Sequence, residues 1–93
     1  MVEVELFIPA AGSLKGKRAV VKSLIGGLQR DLKVSVAEID HQDLWQRCRL
    51  GVAIAAGSEI GARKVAQQVE KIIWREPRVE VVSFSVDVVQ SED

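Results

Sequence analysis

Apolar and polar positions alternate at the start of the chain. Val2, Val4, Leu6 and Ile8 are interleaved with Glu3, Glu5 and Phe7, the period of two that gives a strand one buried face. Pro9 cannot donate to a ladder and ends that strand, and Ala10 to Gly12 turn the chain toward Ser13, a good helix N-cap. From Leu14 the spacing becomes three and four. Leu14, Val21, Leu24, Ile25 and Leu28 form one stripe, with Lys15, Lys17, Arg18, Lys22 and Arg30 mostly off it. The pattern predicts a helix from Leu14 with one packing face and one basic face. Gly26 and Gly27 each cost about 1 kcal/mol relative to Ala in a helix, which predicts a close approach by a neighbouring element or a weakening after Ile25.

Leu32 to Asp40 reads as a second strand and Trp45 to Ala56 as a third, joined by His41 to Leu44, short enough for an antiparallel hairpin. With Cys48, Leu50, Val52 and Ile54 turned inward, Arg47, Arg49, Gly51 and Ala53 turn outward. Ser58 can cap a second helix, along which Ala62, Val65, Ala66, Val69, Ile72 and Ile73 form another stripe ending near Trp74. Pro77 stops it. Val79 to Val89 returns to strand character with Val82, Phe84, Val86 and Val88 on one side, and Ser91 to Asp93 form a short polar tail.

The order is strand, helix, strand, strand, helix, strand. Two helices with one apolar stripe each must cover the same sheet face, which predicts an α+β, ferredoxin-like two-layer sandwich (βαββαβ) with a four-stranded antiparallel sheet. The first and third strands are expected to be central neighbours, running parallel, with Glu3 and Glu5 ion-paired to Arg47 and Arg49 across the open face.

Ninety-three residues suit a single domain, expected to span residues 1–93. Thirteen basic and thirteen acidic side chains leave no net charge, so attraction to nucleic acid must come from a local patch. Cys48 is the one cysteine and can form no internal disulfide. With no signal-like start and no apolar run near the ~20 residues of a membrane span, a reducing cytoplasm is the expected location and no membrane contact is expected.

The chemistry carried by these residues is thin, and the sequence by itself does not say what the protein does. Gly12-Ser-Leu-Lys-Gly-Lys-Arg18 follows a strand and opens a helix as a P-loop does, but three residues instead of four separate its glycines, and Arg18 stands where magnesium chemistry needs Ser or Thr. What survives is an anion-holding helix start with Lys15, Lys17 and Arg18 beside it, with a solvated helix face as the plainer account. Asp40, His41, Gln42 and Asp43 put two carboxylates and an imidazole at the hairpin corner, short of the convergent ligands that zinc needs, so no metal and no cofactor are expected. Cys48 reads as a small core residue. Acylphosphatases share this architecture, but their arginine-bearing glycine loop is missing, and the chain holds no Asn to orient water. Catalysis is not expected. Base stacking on the open face has only Phe7 to rest on, without the aromatic pattern of RNA-recognition domains. The same face gives an alternative, a homodimer through a patch of Phe7, Ala37, Ile39, Ala53 and Val81.

Ser13-Leu-Lys-Gly-Lys-Arg18, Val36-Ala-Glu-Ile-Asp-His-Gln-Asp-Leu-Trp-Gln-Arg47 and Leu50-Gly-Val-Ala53 together resemble the YlxP-like family of bacterial proteins of unknown function, over nearly the whole chain. Gly16 departs from the family, in which a charged residue is common there. The resemblance implies a ferredoxin-like domain without established catalytic residues. In many members the gene lies beside those for translation initiation and ribosome-binding factors, which implies a partner that is RNA or a ribosome-associated protein. The motif residues it marks are Ser13, Leu14, Lys15, Lys17 and Arg18, then Asp40, His41, Gln42, Asp43, Trp45, Gln46 and Arg47. Together with the basic Lys22, the expected binding residues are Lys15, Lys17, Arg18, Lys22, His41, Gln42, Asp43, Trp45 and Arg47.

Overall fold

A computed structural model gives the fold of the chain. It describes residues 1–89; the polar tail read at Ser91 to Asp93 lies outside the described residues. The elements follow the predicted order: β1 (Val2–Phe7), α1 (Leu14–Asp31), β2 (Ser35–Asp40), β3 (Arg47–Ala53), α2 (Glu59–Trp74) and β4 (Glu80–Val86). They form a four-stranded sheet in the order β2-β3-β1-β4. Every neighbouring pair is antiparallel.

The central pair therefore runs opposite to expectation. The α1 crossover returns β2 in the direction of β1, the hairpin then reverses the chain, and β3 must oppose β1. The side-chain consequence is unchanged, because strand direction does not alter which residues face out. Val2, Val4 and Leu6 pair with Val52, Leu50 and Cys48 on the covered face. Those six pack with Val20, Val21, Leu24 and Leu28 of α1 and Ala66, Val69 and Ile73 of α2 in one core. Burying each larger aliphatic side chain contributes about 1.5–3 kcal/mol, so this shared cluster holds both helices on one side.

Both helices begin where the sequence reading put them. Ser13 Oγ accepts from the Gly16 N–H and Ser58 Oγ from the Gly61 N–H, each satisfying a donor of the first turn. The glycine pair does not interrupt α1, which runs on to Asp31. A Cβ at Gly26 would meet nothing within 4 Å, so no close approach accounts for that glycine. At Gly51 a close approach does exist. A Cβ there would lie 3.0 Å from the Ile39 side chain, which folds over the bare backbone on the open face.

Boundaries of β2, β3 and β4 and one face differ from the reading, β4 being confined to Glu80–Val86. Leu32 still donates its N–H to Leu28 O and caps α1, so β2 opens only at Ser35. β3 is shorter at both ends, Arg47–Ala53. In β4 the pairing to β1 slips between Glu5 and Leu6, so that Ser83 opposes Glu5 while Val81 opposes Leu6. This bulge turns Val82 out, 54% exposed, and Val81 against the core. Val82 therefore leaves the inner face assigned to it, and Val81 leaves the outer patch.

Candidate functional site

The start of α1 and the β2–β3 corner meet at one end of the sandwich, and Lys17 joins them. Lys17, expected on the basic outer face, is instead 1% exposed. It stands four, seven and eleven residues before Val21, Leu24 and Leu28, on the packing stripe itself. Its ammonium lies 2.7 Å from Glu38 Oε2 and donates to the His41 carbonyl. That Glu38 oxygen is buried without a well-aligned hydrogen bond, so the ion pair is its compensation. Lys17 is thus a structural tie, withdrawn from any surface that meets an anion.

The corner is held from several directions. His41 has a φ of 65°, left-handed backbone that costs a residue with a Cβ of the order of 1–2 kcal/mol. Its N–H donates to Asp40 Oδ1 at 2.7 Å, and its carbonyl accepts from the Leu44 N–H as well as from Lys17. Gln42 Nε2 donates to Glu38 O at 3.3 Å, and Gln46 Nε2 to Pro9 O at 2.9 Å, stapling the corner to the β1–α1 loop.

On the open sheet face the ion pairing expected of the outward charges is present, and it centres on Glu5. Arg47 Nε donates to Glu5 Oε2 at 3.0 Å and Arg49 Nη1 to Oε1 at 3.3 Å, while Arg49 Nε lies 3.6 Å from Glu3. His41 Nε2 is 3.1 Å from both Glu5 oxygens. Burial raises the Glu5 pKa, but the hydrogen bonds from Arg47 and Arg49 and the nearby His41 outweigh it, and the net direction is downward. An ionised carboxylate only accepts, so His41 Nε2 carries the proton. Cys48 is fully buried, and burial together with Glu38 pushes its thiol up to about 12. It is a core residue with no thiolate to offer near neutral pH.

What remains exposed is a smaller set than expected. Lys15, Arg18 and Lys22 stand three and four residues apart on one outer stripe of α1. Among the described residues none of the three has a carboxylate partner. On the corner, Leu44 is 48% and Trp45 53% exposed, and Gln42 and Asp43 are also open to solvent. His41 and Arg47 are occupied with Glu5. Sequence reasoning missed Glu38 as a member of this constellation. The signal was available: Glu38 shares the inward parity of Val36, and Lys17 shares the spacing of the apolar stripe, which together mark a buried pair. No three of His, Cys, Asp and Glu converge as metal ligands among the described residues. Nor is any helix there long and apolar enough to cross a membrane.

Strand order, antiparallel pairing and two helices on one face define a ferredoxin-like domain. The chain belongs to the family described as "Protein of unknown function (DUF503)", which matches residues 1–86. It is 41% identical over 78 residues to the "Uncharacterized protein YlxP" of Bacillus subtilis (strain 168), covering 84% of this chain and 85% of that protein. The likeness carried by the Asp-His-Gln-Asp-Leu-Trp-Gln-Arg run is therefore one of family. A solution structure of a de novo designed protein with ferredoxin fold matches 99% of this chain and 90% of its own, with TM-score 0.49 and 20% identity.

Proposed function

We propose that this domain is a non-catalytic cytoplasmic module that binds RNA, using the start of α1 and the β2–β3 corner as its contact surface. The observation that carries the reading is the ridge of Lys15, Arg18 and Lys22, which has no carboxylate partner among the described residues. The first turn of α1 contains no acid, whereas α2 has Glu59 in its first turn. Cations at the positive end of a helix dipole are unfavourable for the helix, so their concentration there needs a reason outside the fold. An anionic backbone supplies one. The charge of the two helices points the same way. Leaving aside Lys17, which is buried against Glu38, Lys15, Arg18, Lys22, Arg30, Arg63, Lys64 and Lys71 stand against Asp31, Glu59 and Glu70, although the whole chain is neutral.

Fluorescence anisotropy of a labelled RNA across a series of salt concentrations tests the reading. Binding should weaken steeply with salt, and the double variant Lys15→Ala/Arg18→Ala should both weaken binding and flatten that dependence. Salt-insensitive binding, or no difference between variant and parent, removes the proposal. Lys17→Ala is unsuitable for this purpose because it reports on folding.

The open sheet face supports a second reading, a homodimer. Ile39, 39% exposed, lies over Gly51 beside the Met1 side chain on β2, an edge strand paired only to β3. A dimer by light scattering that Ile39→Lys converts to monomer is the expected result, and a monomeric parent ends this reading.

A further inference from the structure

Trp45 is the feature of the corner that the cation ridge does not explain. Its indole is half exposed, with exposed Leu44 before it, in a segment whose backbone is fixed by the Leu44–His41 turn bond, the Gln46 bond to Pro9 and the Lys17 bond to His41. A large apolar ring in water gains by being covered, and with the backbone around it already fixed, only the side chain has to be ordered when that happens. Lys17 bonds His41 and sits within the first turn of α1, so the start of that helix, which also carries Lys15 and Arg18, lies at the same end of the fold as the corner. An exposed aromatic at the same end of the fold as cations that have no carboxylate partner among the described residues suits a ligand that offers flat apolar rings and negative charges in alternation.

Resting on the RNA reading above, we infer that the ligand is single-stranded, with one unpaired base stacked on Trp45 and the flanking phosphates on the Lys15–Arg18–Lys22 ridge. A duplex keeps its bases inside and presents phosphates alone, so it can use the ridge but not the indole. Stacking also accepts any base, which predicts weak sequence preference. Asp43 is exposed on the same corner and opposes the phosphates. Its neutralisation should tighten binding.

The test uses two single-tryptophan proteins, Trp74→Phe, which retains Trp45, and Trp45→Phe, which retains the exposed Trp74 at the far end of α2. Each is titrated with a mixed-sequence single-stranded RNA and with the same length as duplex. Single-stranded RNA should quench Trp45 emission and leave Trp74 emission unchanged, and duplex should quench neither. Trp45→Ala should weaken single-strand binding about tenfold with the salt dependence intact, as expected for loss of one stacked base. Asp43→Asn should strengthen it. If RNA binds with normal salt dependence yet Trp45 is not quenched and Trp45→Ala binds like the parent, the stacking site is wrong while the RNA reading stands. Equal affinity for duplex and single strand also overturns it. If neither RNA binds and Trp45 is instead protected by a protein partner, both this inference and the RNA reading fall.

Discussion

Lys17 shows how one residue can read as a surface cation and act as an interior strut. Removing a single member of a buried ion pair leaves the other uncompensated, so Lys17→Ala is expected to lower the unfolding free energy by about 3 kcal/mol, measured by urea denaturation. The double variant Lys17→Met/Glu38→Leu should recover much of the loss, because no charge is then stranded. A double variant as unstable as the single one would show that the His41 carbonyl bond, and not the ion pair, is what matters. His41 itself separates side chain from backbone. His41→Ala and His41→Gly both delete the contact to Glu5, but only glycine takes a φ of 65° without a Cβ penalty. His41→Gly should therefore be more stable than His41→Ala by about 1 kcal/mol, and the reverse order would mean that the corner relaxes once the imidazole is gone. Cys48 offers a simpler check. Its raised pKa and full burial predict negligible reaction with a thiol reagent in the native protein and rapid reaction in urea.

At the scale of elements, β1 and β3 are joined on the open face through one carboxylate, and that makes their pairing sensitive to acid. The Glu5 pKa is lower in the folded protein than its ordinary value of 4.5, so Glu5 adds stability that is present above about pH 4.5 and is lost as pH falls through its folded value. Glu5→Gln should consequently be less stable than the parent at pH 7, with the difference shrinking below pH 4.5, as followed by urea midpoints at each pH. Glu76 behaves in the same sense where α2 leads into β4. Its hydrogen bonds from Arg78 outweigh burial and hold it at about 2, so its contribution persists to lower pH. The strands, helices and caps were legible because alternation, stripe spacing and Ser13 and Ser58 are local signals. The β4 bulge was not, since the run Val79 to Val89 fits either parity and only pairing with β1 decides between them. The direction of β3 follows from connectivity, and side-chain parity carries no information about it. Within the candidate site, the basic cluster at the start of α1 was legible from its spacing, whereas Trp45, read as the first residue of a strand, was marked only by the family resemblance, and its exposure emerges because β3 opens at Arg47. The Lys17–Glu38 pair is hidden because charged residue types favour the surface, and only the joint match of Lys17 to the helical stripe and of Glu38 to the inward strand parity marks them as buried.

For the whole molecule, neutrality of the chain conceals a division of charge between layers. The helices hold eight cations against three carboxylates, while β1, β2 and β4 supply Glu3, Glu5, Glu38, Asp40 and Glu80 and no cation. Such a layout costs the fold something, since like charges three and four residues apart on a helix repel by roughly 0.2–0.5 kcal/mol per pair. Arg18 has Lys15 on one side and Lys22 on the other. Arg18→Glu converts both repulsions to attractions and puts an acid near the positive end of the α1 dipole, so it should stabilise the protein by about 0.5–1 kcal/mol. The gain should fade at high salt, where exposed charges are screened. If the ridge exists to meet an anionic strand, the same variant must bind RNA less well, and stability and affinity move in opposite directions. If the ridge is merely a solvated helix face, Arg18→Glu should gain stability at no functional cost. Urea unfolding and RNA anisotropy on this one variant, each at low and high salt, separate the two accounts.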